Sequence, residues 1–249
     1  MKNLLLFLSV IITSNKIYIF KYIFEFILLF FAILLGLIGD DYRQKKLDEH
    51  QEKIYVTSLI NDLTKDSTSL SEVLSEFVIK DKNLDTVLRM YGKLIISYND
   101  TLWRNFSGFK SFPDFMYSNT TISQLINSSG LSVIISKKIK DEIISYDSNV
   151  KDLNIDIASL DERHSLIREL MYDLIDEEDF EKDRKSMLIS EIENKGKNYL
   201  LINDIAKLGK LNNVIRDYKH VIGLVVKKEK QLKQKAVNLI FILKNTYNQ

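Results

Sequence analysis

The chain contains no cysteine, one proline (Pro113) and eight glycines in 249 residues. The absence of cysteine excludes disulfide bonds, thiolate zinc sites, iron–sulfur clusters and cysteine nucleophiles. Because proline and glycine interrupt helices, their scarcity favours long helices over a β-fold with many turns. A strong net charge is also lacking. The formal value is +1, so no overall field points to nucleic acid or to an acidic substrate.

An uncharged apolar run extends from Phe26 to Gly39 and stops at two aspartates. Extended back to Tyr22, it admits one charged residue, Glu25, and is long enough to cross a bilayer of about 30 Å as a helix. We therefore predict three parts. They are an N-terminal apolar or interfacial segment at 1–21, a transmembrane helix at 22–39 in contact with the lipid bilayer, and a soluble helical bundle domain at 40–249.

A shorter apolar run, Leu4 to Ile12, precedes the predicted span. Three interpretations stay open: an interfacial or partly inserted helix, a first membrane crossing in a tight hairpin, and a signal peptide or over-extended translation start. A first crossing would reverse the orientation of the soluble domain. The basic residues on the two sides of the span do not decide the orientation, because their numbers are equal. They are Lys2, Lys16 and Lys21 before the span and Arg43, Lys45 and Lys46 after it.

Glu25 is the one ionisable residue of the predicted span. Intramembrane carboxylates often have a functional role, such as binding a proton or a partner. Lys21 lies four residues earlier, at helical spacing and near the interface, so the alternative is a Lys21–Glu25 pair whose side chains reach toward the headgroups. Both interpretations stay open.

Three apolar stripes with alternating steps of four and three follow the span. The first is Val56, Ile60, Leu63, Ser67, Leu70, Leu74 and Phe77, continued by Leu84, Leu88, Tyr91, Ile95, Tyr98 and Leu102. The second is Ile139, Ile143, Tyr146, Val150, Leu153, Ile157, Leu160, His164, Ile167, Met171 and Leu174. The third is Leu208, Leu211, Ile215, Tyr218, Ile222, Val225, Glu229, Leu232, Ala236, Leu239 and Leu243.

This period of about 3.5 residues is typical of helices that pack at shallow angles. The predicted fold class is all-α: an N-terminal transmembrane helix followed by an elongated antiparallel helical bundle with coiled-coil-like heptad seams. The polar residues at 80–83 predict two helices, or one kinked helix, in the first stripe. The acidic residues at 176–179 and Gly196 predict a turn between the second and third stripes, with a short extra helix at 185–193.

One stretch, Trp103 to Asn119, lacks a helical pattern and holds the only tryptophan and the only proline. One interpretation is a long loop whose aromatic side chains close the end of the bundle. The other is a loop that binds a ligand or protein partner, because binding residues often lie on loops of a rigid scaffold. The candidate residues are Trp103, Arg104, Phe106, Phe109, Phe112, Phe115 and Tyr117. Thr120 and Gly130 are the expected start and stop of a helix after this loop.

No catalytic, cofactor-binding or metal-binding motif is present. The three histidines (50, 164 and 220) lack partners at metal-ligand spacing, and no P-loop, dinucleotide fingerprint or serine nucleophile elbow occurs. We interpret His164 as a buried residue bonded to a neighbour in the helix seam, or as a polar residue that sets the register. The acidic stretch at 173–183 lacks the calcium-loop pattern and is interpreted as a solvated turn.

Lysines are frequent between Lys227 and Lys235 on the third stripe. They would contact anionic headgroups if that part of the helix lay near the membrane. The sequence does not decide at which end of the bundle this helix finishes. Binding of nucleic acid is not expected, because the net charge is close to zero and the aromatic residues lie in another segment.

Short motifs spread over most of the chain resemble an uncharacterised Bacteroidota family of membrane-anchored proteins with a domain of unknown function. The motif residues are Lys21, Tyr22 and Glu25 leading into the apolar run, Tyr55, Leu59, Asp62, Leu63 and Asp66 after it, and then Thr121, Leu125, Ser128, Ser129, Gly130, Leu131 and Tyr146. The chain departs from the family pattern at Phe24 and at 40–43. The resemblance implies a single-pass anchor in the bacterial inner membrane, with a cytoplasmic N-terminus and an envelope-facing helical domain. It implies no activity.

These observations predict a membrane-anchored, non-enzymatic helical bundle that binds a ligand or protein partner through the aromatic loop. No cofactor is expected. The alternative is a structural scaffold that associates with copies of itself through the heptad seams.

Overall fold

The computed structural model describes residues 2–90, 105, 112–127, 130–174 and 204–247, with side chains described from residue 21 onward except at position 90. Over these ranges the regular structure is helical, without a strand. The helices are α1 (Lys2–Met90), α2 (Thr120–Asn127), α3 (Lys137–Leu174) and α4 (Ile205–Tyr247), with a 3-10 turn at Gly130–Ser132. The prediction of an all-α fold with an N-terminal apolar helix and packed helices after it is confirmed.

The chain divides by its internal contacts into two units, residues 1–54 and 55–249. In the first unit, α1 presents the apolar run to its surroundings. The large apolar side chains from Tyr22 to Ile38 are 38% to 68% exposed. A soluble protein rarely leaves so large a continuous apolar surface uncovered. Among the described residues, α1 is the one helix long and apolar enough to cross a membrane.

The second unit is built on the seams of three helices. All predicted seam residues of α3 and α4 are buried, except Ile157, which is half-buried. Burying a Leu, Ile or Val side chain contributes roughly 1.5–3 kcal/mol, so these rows supply most of the packing that holds α3 and α4 together. The predicted second and third stripes are therefore confirmed as helix seams.

The α1 stripe follows a different register from the predicted one. Ser67 and Leu74 are only half-buried. Of the two alternatives at 80–83, the two separate helices are wrong, because α1 continues as one helix to Met90, whereas the kink stays a prediction. The predicted stripe omits Asp66 and Lys80, although both charged residues occupy buried seam positions. The buried row keeps alternating steps of three and four and consists of Val56, Leu59, Leu63, Asp66, Leu70, Val73, Phe77, Lys80, Leu84 and Val87.

Side-chain contacts fix the direction of the helices. Residue numbers rise along α3 as they fall along α4, so the two are antiparallel, as predicted. On α1, Asp66 contacts Tyr146 near the start of α3. Further along α1, Asp81 contacts Lys219 of α4. Lys219 is two residues from Asp217, which pairs with Arg163 in the second half of α3. Helix α1 therefore runs parallel to α3 and antiparallel to α4. The α3–α4 pairs are Ser145–Lys235, Asp156–Lys228, Arg163–Asp217 and Asp173–Lys207.

This topology places the basic stretch of α4 along the middle of the bundle. Lys228 pairs with Asp156 at 2.6 Å, and Lys235 donates to the Ser145 hydroxyl at 2.9 Å. Contact of this stretch with lipid stays a prediction. The turn and short helix predicted between α3 and α4 fall at 175–203, outside the described residues.

Candidate functional site

Residues 112–119, the described end of the aromatic stretch, are not helical and lie against the bundle. Phe115 is buried, and Phe112 and Tyr117 are half-buried against the hydrophobic core. The Phe112 ring lies 5.5 Å from that of His164 on α3, and the Tyr117 ring lies 6.2 Å from that of Tyr146. Phe112 and Tyr117 therefore hold the segment against α3, while Phe115 packs into the core beside Tyr117.

Two aspartates of α1, one helical turn apart, bind the backbone of this segment and of α2. Asp66 accepts a hydrogen bond from the Ser118 backbone N–H at 2.7 Å. Asp62 accepts from both the backbone N–H and the hydroxyl of Thr121, at 3.2 Å and 2.6 Å. Charge-assisted hydrogen bonds of this kind are about twice as strong as neutral ones. Asp66 thus satisfies the N–H of Ser118 in the non-helical segment, and Asp62 satisfies the N–H of Thr121 in the first turn of α2.

Helix α3 completes the arrangement with a tyrosine and an aspartate. The Tyr146 hydroxyl donates to the second oxygen of Asp66 at 2.8 Å. The Tyr117 hydroxyl donates to Asp147 at 3.1 Å, and Lys151 pairs with the same carboxylate at 2.6 Å. We call the six residues that join α1, the segment, α2 and α3 the polar cluster. They are Asp62, Asp66, Tyr117, Thr121, Tyr146 and Asp147.

Burial dominates the electrostatics of the polar cluster. It raises the pKa of Asp66, and the hydrogen bonds from Ser118 and Tyr146 oppose that rise. It also raises the pKa of Tyr146 and of Tyr117 far above the ordinary value, with Asp66 and Asp147 respectively adding to the effect. Both phenols therefore keep their protons and act as hydrogen-bond donors. The arrangement is suited to holding a segment in place, because both phenols of the polar cluster donate to carboxylates.

A pair of phenylalanine substitutions distinguishes the buried part of the cluster from its rim. Tyr146→Phe leaves one oxygen of the buried Asp66 without its donor, and we expect a loss of about 1–3 kcal/mol in the free energy of unfolding. Tyr117→Phe should cost at most about 1 kcal/mol, because Asp147 keeps Lys151 and the Tyr117 ring is half-buried. Chemical denaturation followed by circular dichroism measures both. Equal losses of unfolding free energy in the two variants would contradict the assignment of Tyr146 to the buried part of the cluster and of Tyr117 to its rim.

The structure locates only part of the predicted loop site. Trp103, Arg104, Phe106 and Phe109 lie outside the described residues, so their role stays a prediction. Four of the residues that carry the family resemblance meet in the polar cluster, although the resemblance itself stays a prediction. They are Asp62, Asp66, Thr121 and Tyr146. In the first unit, Glu25 lies 3.9 Å from Lys21, and both side chains are exposed.

His164 is 3% exposed and lies between the rings of Phe112 and Tyr218, 6.0 Å from the latter. This agrees with the interpretation of a buried seam histidine. Two further polar seam residues were not singled out by the sequence analysis. Lys80 is buried, and burial lowers its pKa to about 8, against the opposite effect of Glu76. Glu229 is buried completely.

An open groove of about 1000 Å³ lies along the second half of α3 and the first half of α4. The Arg163–Asp217 pair at 2.5 Å forms part of its wall. Phe112, Phe115 and Tyr117 do not line it. Within the described ranges, no group of three or more histidine, aspartate and glutamate side chains is placed to hold a metal ion.

Comparison of the chain with protein-family models, with curated proteins and with solved structures found no match in any of the three.

Proposed function

We propose that the chain is a membrane-anchored, non-enzymatic helical bundle that binds a ligand or protein partner in the cell envelope as an accessory domain. The observation that carries the proposal is the contrast between the two units. The first exposes an uncharged apolar helix surface, whereas the second buries its seams within one chain. A membrane supplies the environment that the first unit lacks in water.

The proposed location is the bacterial inner membrane, with the second unit on the periplasmic side. This orientation rests on the family resemblance, because the basic residues on the two sides of the span are equal in number. The proposed single crossing further requires that Leu4 to Ile12 does not cross the membrane.

The proposed binding region is the aromatic stretch. Its described end is tied to two helices through Asp66 and Asp147, which gives the loop a rigid base. A rigid base lowers the entropy lost on binding. Arg104, which precedes this base in the sequence, is the residue we propose for an anionic group of the ligand or partner.

A scaffold that associates with copies of itself is the second candidate. We rank it lower because the seams of α3 and α4, including Leu153 at 0% exposure, are already occupied by helices of the same chain. Self-association would have to use other surfaces.

A photo-crosslinking amino acid at position 109 tests the proposal in the full chain in native membranes. We expect one discrete adduct with a molecule other than this chain, and loss of that adduct when Arg104→Ala is added. The matched control carries the cross-linker at Ile155, which is 69% exposed on α3, and should not form the same adduct. An adduct with the mass of two copies of this chain would favour the scaffold. The absence of an adduct at position 109, or the same adduct from position 155, would contradict the proposed binding region.

A further inference from the structure

Glu229 occupies a seam position of α4 that apolar residues fill elsewhere in the helix. It lies between Val225 and Leu232, both buried, and is itself 0% exposed. Neither carboxyl oxygen has a hydrogen-bond partner among the residues that the structure describes. Buried carboxyl groups in folded proteins are nearly always paired, because an unpaired ion in the interior is strongly destabilising.

The contacts of neighbouring residues place Glu229 in the middle of the bundle. Lys228 pairs with Asp156 on α3. Along α4, Glu229 lies between Lys235, which meets Ser145, and Lys219, which meets Asp81 of α1. At this level the buried residues of α3 are Val150 and Leu153, and those of α1 are Leu70, Val73 and Phe77. The surroundings of the carboxyl are therefore apolar on both facing helices.

Among the described residues, the charged and titratable groups that the packed elements carry at this level have other partners or reach solvent. Helix α1 carries Asp66, Glu72, Glu76 and Lys80, and α3 carries Tyr146, Asp147, Lys151, Asp152 and Asp156. The segment before α2 carries Asp114 and Tyr117, and α4 itself carries Lys227, Lys228, Lys230 and the half-buried Lys233. Burial raises the pKa of Glu229 to about 8, without a contribution from a charge in the described part of the chain.

We propose that Glu229 is a proton-binding switch in the middle of the bundle, which closes around the neutral carboxyl and loosens along α4 when the proton is lost. A neutral carboxyl fits an apolar seam at the cost of its unmade hydrogen bonds. A carboxylate regains hydration only if α4 moves away from α3 and α1 and admits water. This inference does not depend on the proposed binding partner.

The sign of the pH dependence follows from the two pKa values. In the unfolded chain Glu229 has an ordinary pKa near 4.5, and in the closed bundle the pKa is about 8. Below a pH of about 4.5, the protonated Glu229 therefore makes its full contribution to the stability of the closed bundle. This contribution is lost as the pH rises from there toward about 8. Between pH 6 and pH 9 the change corresponds to an increase of about 100-fold in the equilibrium constant for opening or unfolding.

Glu229→Gln in the full chain in detergent micelles tests the switch, because glutamine keeps the shape and cannot ionise. We expect the unfolding equilibrium constant of the wild type to rise about 100-fold relative to that of the variant between pH 6 and pH 9. The comparison with the variant is essential because Lys80 also makes stability depend on pH. Its lowered pKa means that the bundle gains stability as the pH rises above about 8, which is opposite to the effect of Glu229. The contribution of Lys80 is common to both proteins and cancels in the comparison.

The matched control is Glu169→Gln, which alters an exposed carboxyl of α3 and should follow the wild type at every pH. Hydrogen exchange locates the opening: amides around Val225 to Leu232 should exchange faster at pH 9 in the wild type than in Glu229→Gln. Infrared spectroscopy should find one un-ionised carboxyl at pH 7 that Glu229→Gln removes. Equal pH dependence in wild type and variant, or an ionised Glu229 in the folded protein at pH 6, would overturn the proposal.

Discussion

Replacing Asp66 with leucine is expected to lower the free energy of unfolding by about 2–4 kcal/mol. Asp66 is 1% exposed and accepts hydrogen bonds from the Tyr146 hydroxyl and the Ser118 backbone N–H. Leucine fills similar space but accepts neither, so two buried donors lose their partner at a cost of about 1–3 kcal/mol each. Part of that cost is recovered, because a buried carboxylate is no longer desolvated.

Chemical denaturation of the full chain in micelles, followed by circular dichroism, measures this loss. Asp66→Asn retains one acceptor oxygen and should lose roughly half as much. Glu72→Gln alters an exposed carboxyl of the same helix and should change stability by no more than about 0.5 kcal/mol. Combining Asp66→Leu with Tyr146→Phe should cost less than the sum of the two, because both remove the same hydrogen bond. A leucine variant as stable as the wild type would show that the polar cluster does not hold the bundle.

Two arginines in the apolar run are expected to abolish membrane integration. Phe30 and Leu34 lie one helical turn apart and are 54% and 38% exposed. Each arginine costs about 2.5–3.5 kcal/mol at the centre of a membrane helix, and each removed apolar residue forfeits a further fraction of a kcal/mol. The double variant Phe30→Arg/Leu34→Arg therefore loses about 6–8 kcal/mol of insertion free energy.

Extraction of isolated membranes with alkaline carbonate measures the outcome. The wild type should stay in the membrane pellet and the double variant should not. Tyr42→Arg/Leu47→Arg adds the same charges beyond the run and should remain integrated. Repeating the test in chains that begin at residue 20 determines whether Leu4 to Ile12 contributes. Retention of the Phe30/Leu34 variant in the shorter chain would argue against a span at 22–39.

The seams of α3 and α4 could be predicted because apolar residues fill nearly every position. The α1 seam could not, since its register depends on where two polar side chains find partners. Asp66 is buried because Tyr146 and Ser118, 80 and 52 residues away in sequence, donate to it. Periodicity records hydrophobicity along one helix and contains no information about such distant donors. The predicted α1 stripe therefore contains Ser67 and Leu74, which are half-buried.

The aromatic stretch was predicted as non-helical, which is confirmed at 112–119 and wrong at Asn105, which is helical. What could not be predicted is the way in which Phe112, Phe115 and Tyr117 lie along α1 and α3, because this depends on side chains of both helices. Glu229 was in the third predicted stripe, and a single acid in a row of apolar residues was a signal that the sequence offered. Its meaning depends on burial and on the absence of a partner, which only the packed structure supplies.

The side of the membrane on which the second unit lies decides between the proposed location and its alternatives. A reporter that is active only outside the cytoplasm is fused to Gln249, with a reporter that is active only in the cytoplasm as its counterpart. We predict that the first reporter is active and the second is silent, which would direct the search for partners to the envelope. Activity of the cytoplasmic reporter would contradict the proposed location and would mean that the span is inverted or that Leu4 to Ile12 crosses the membrane as well.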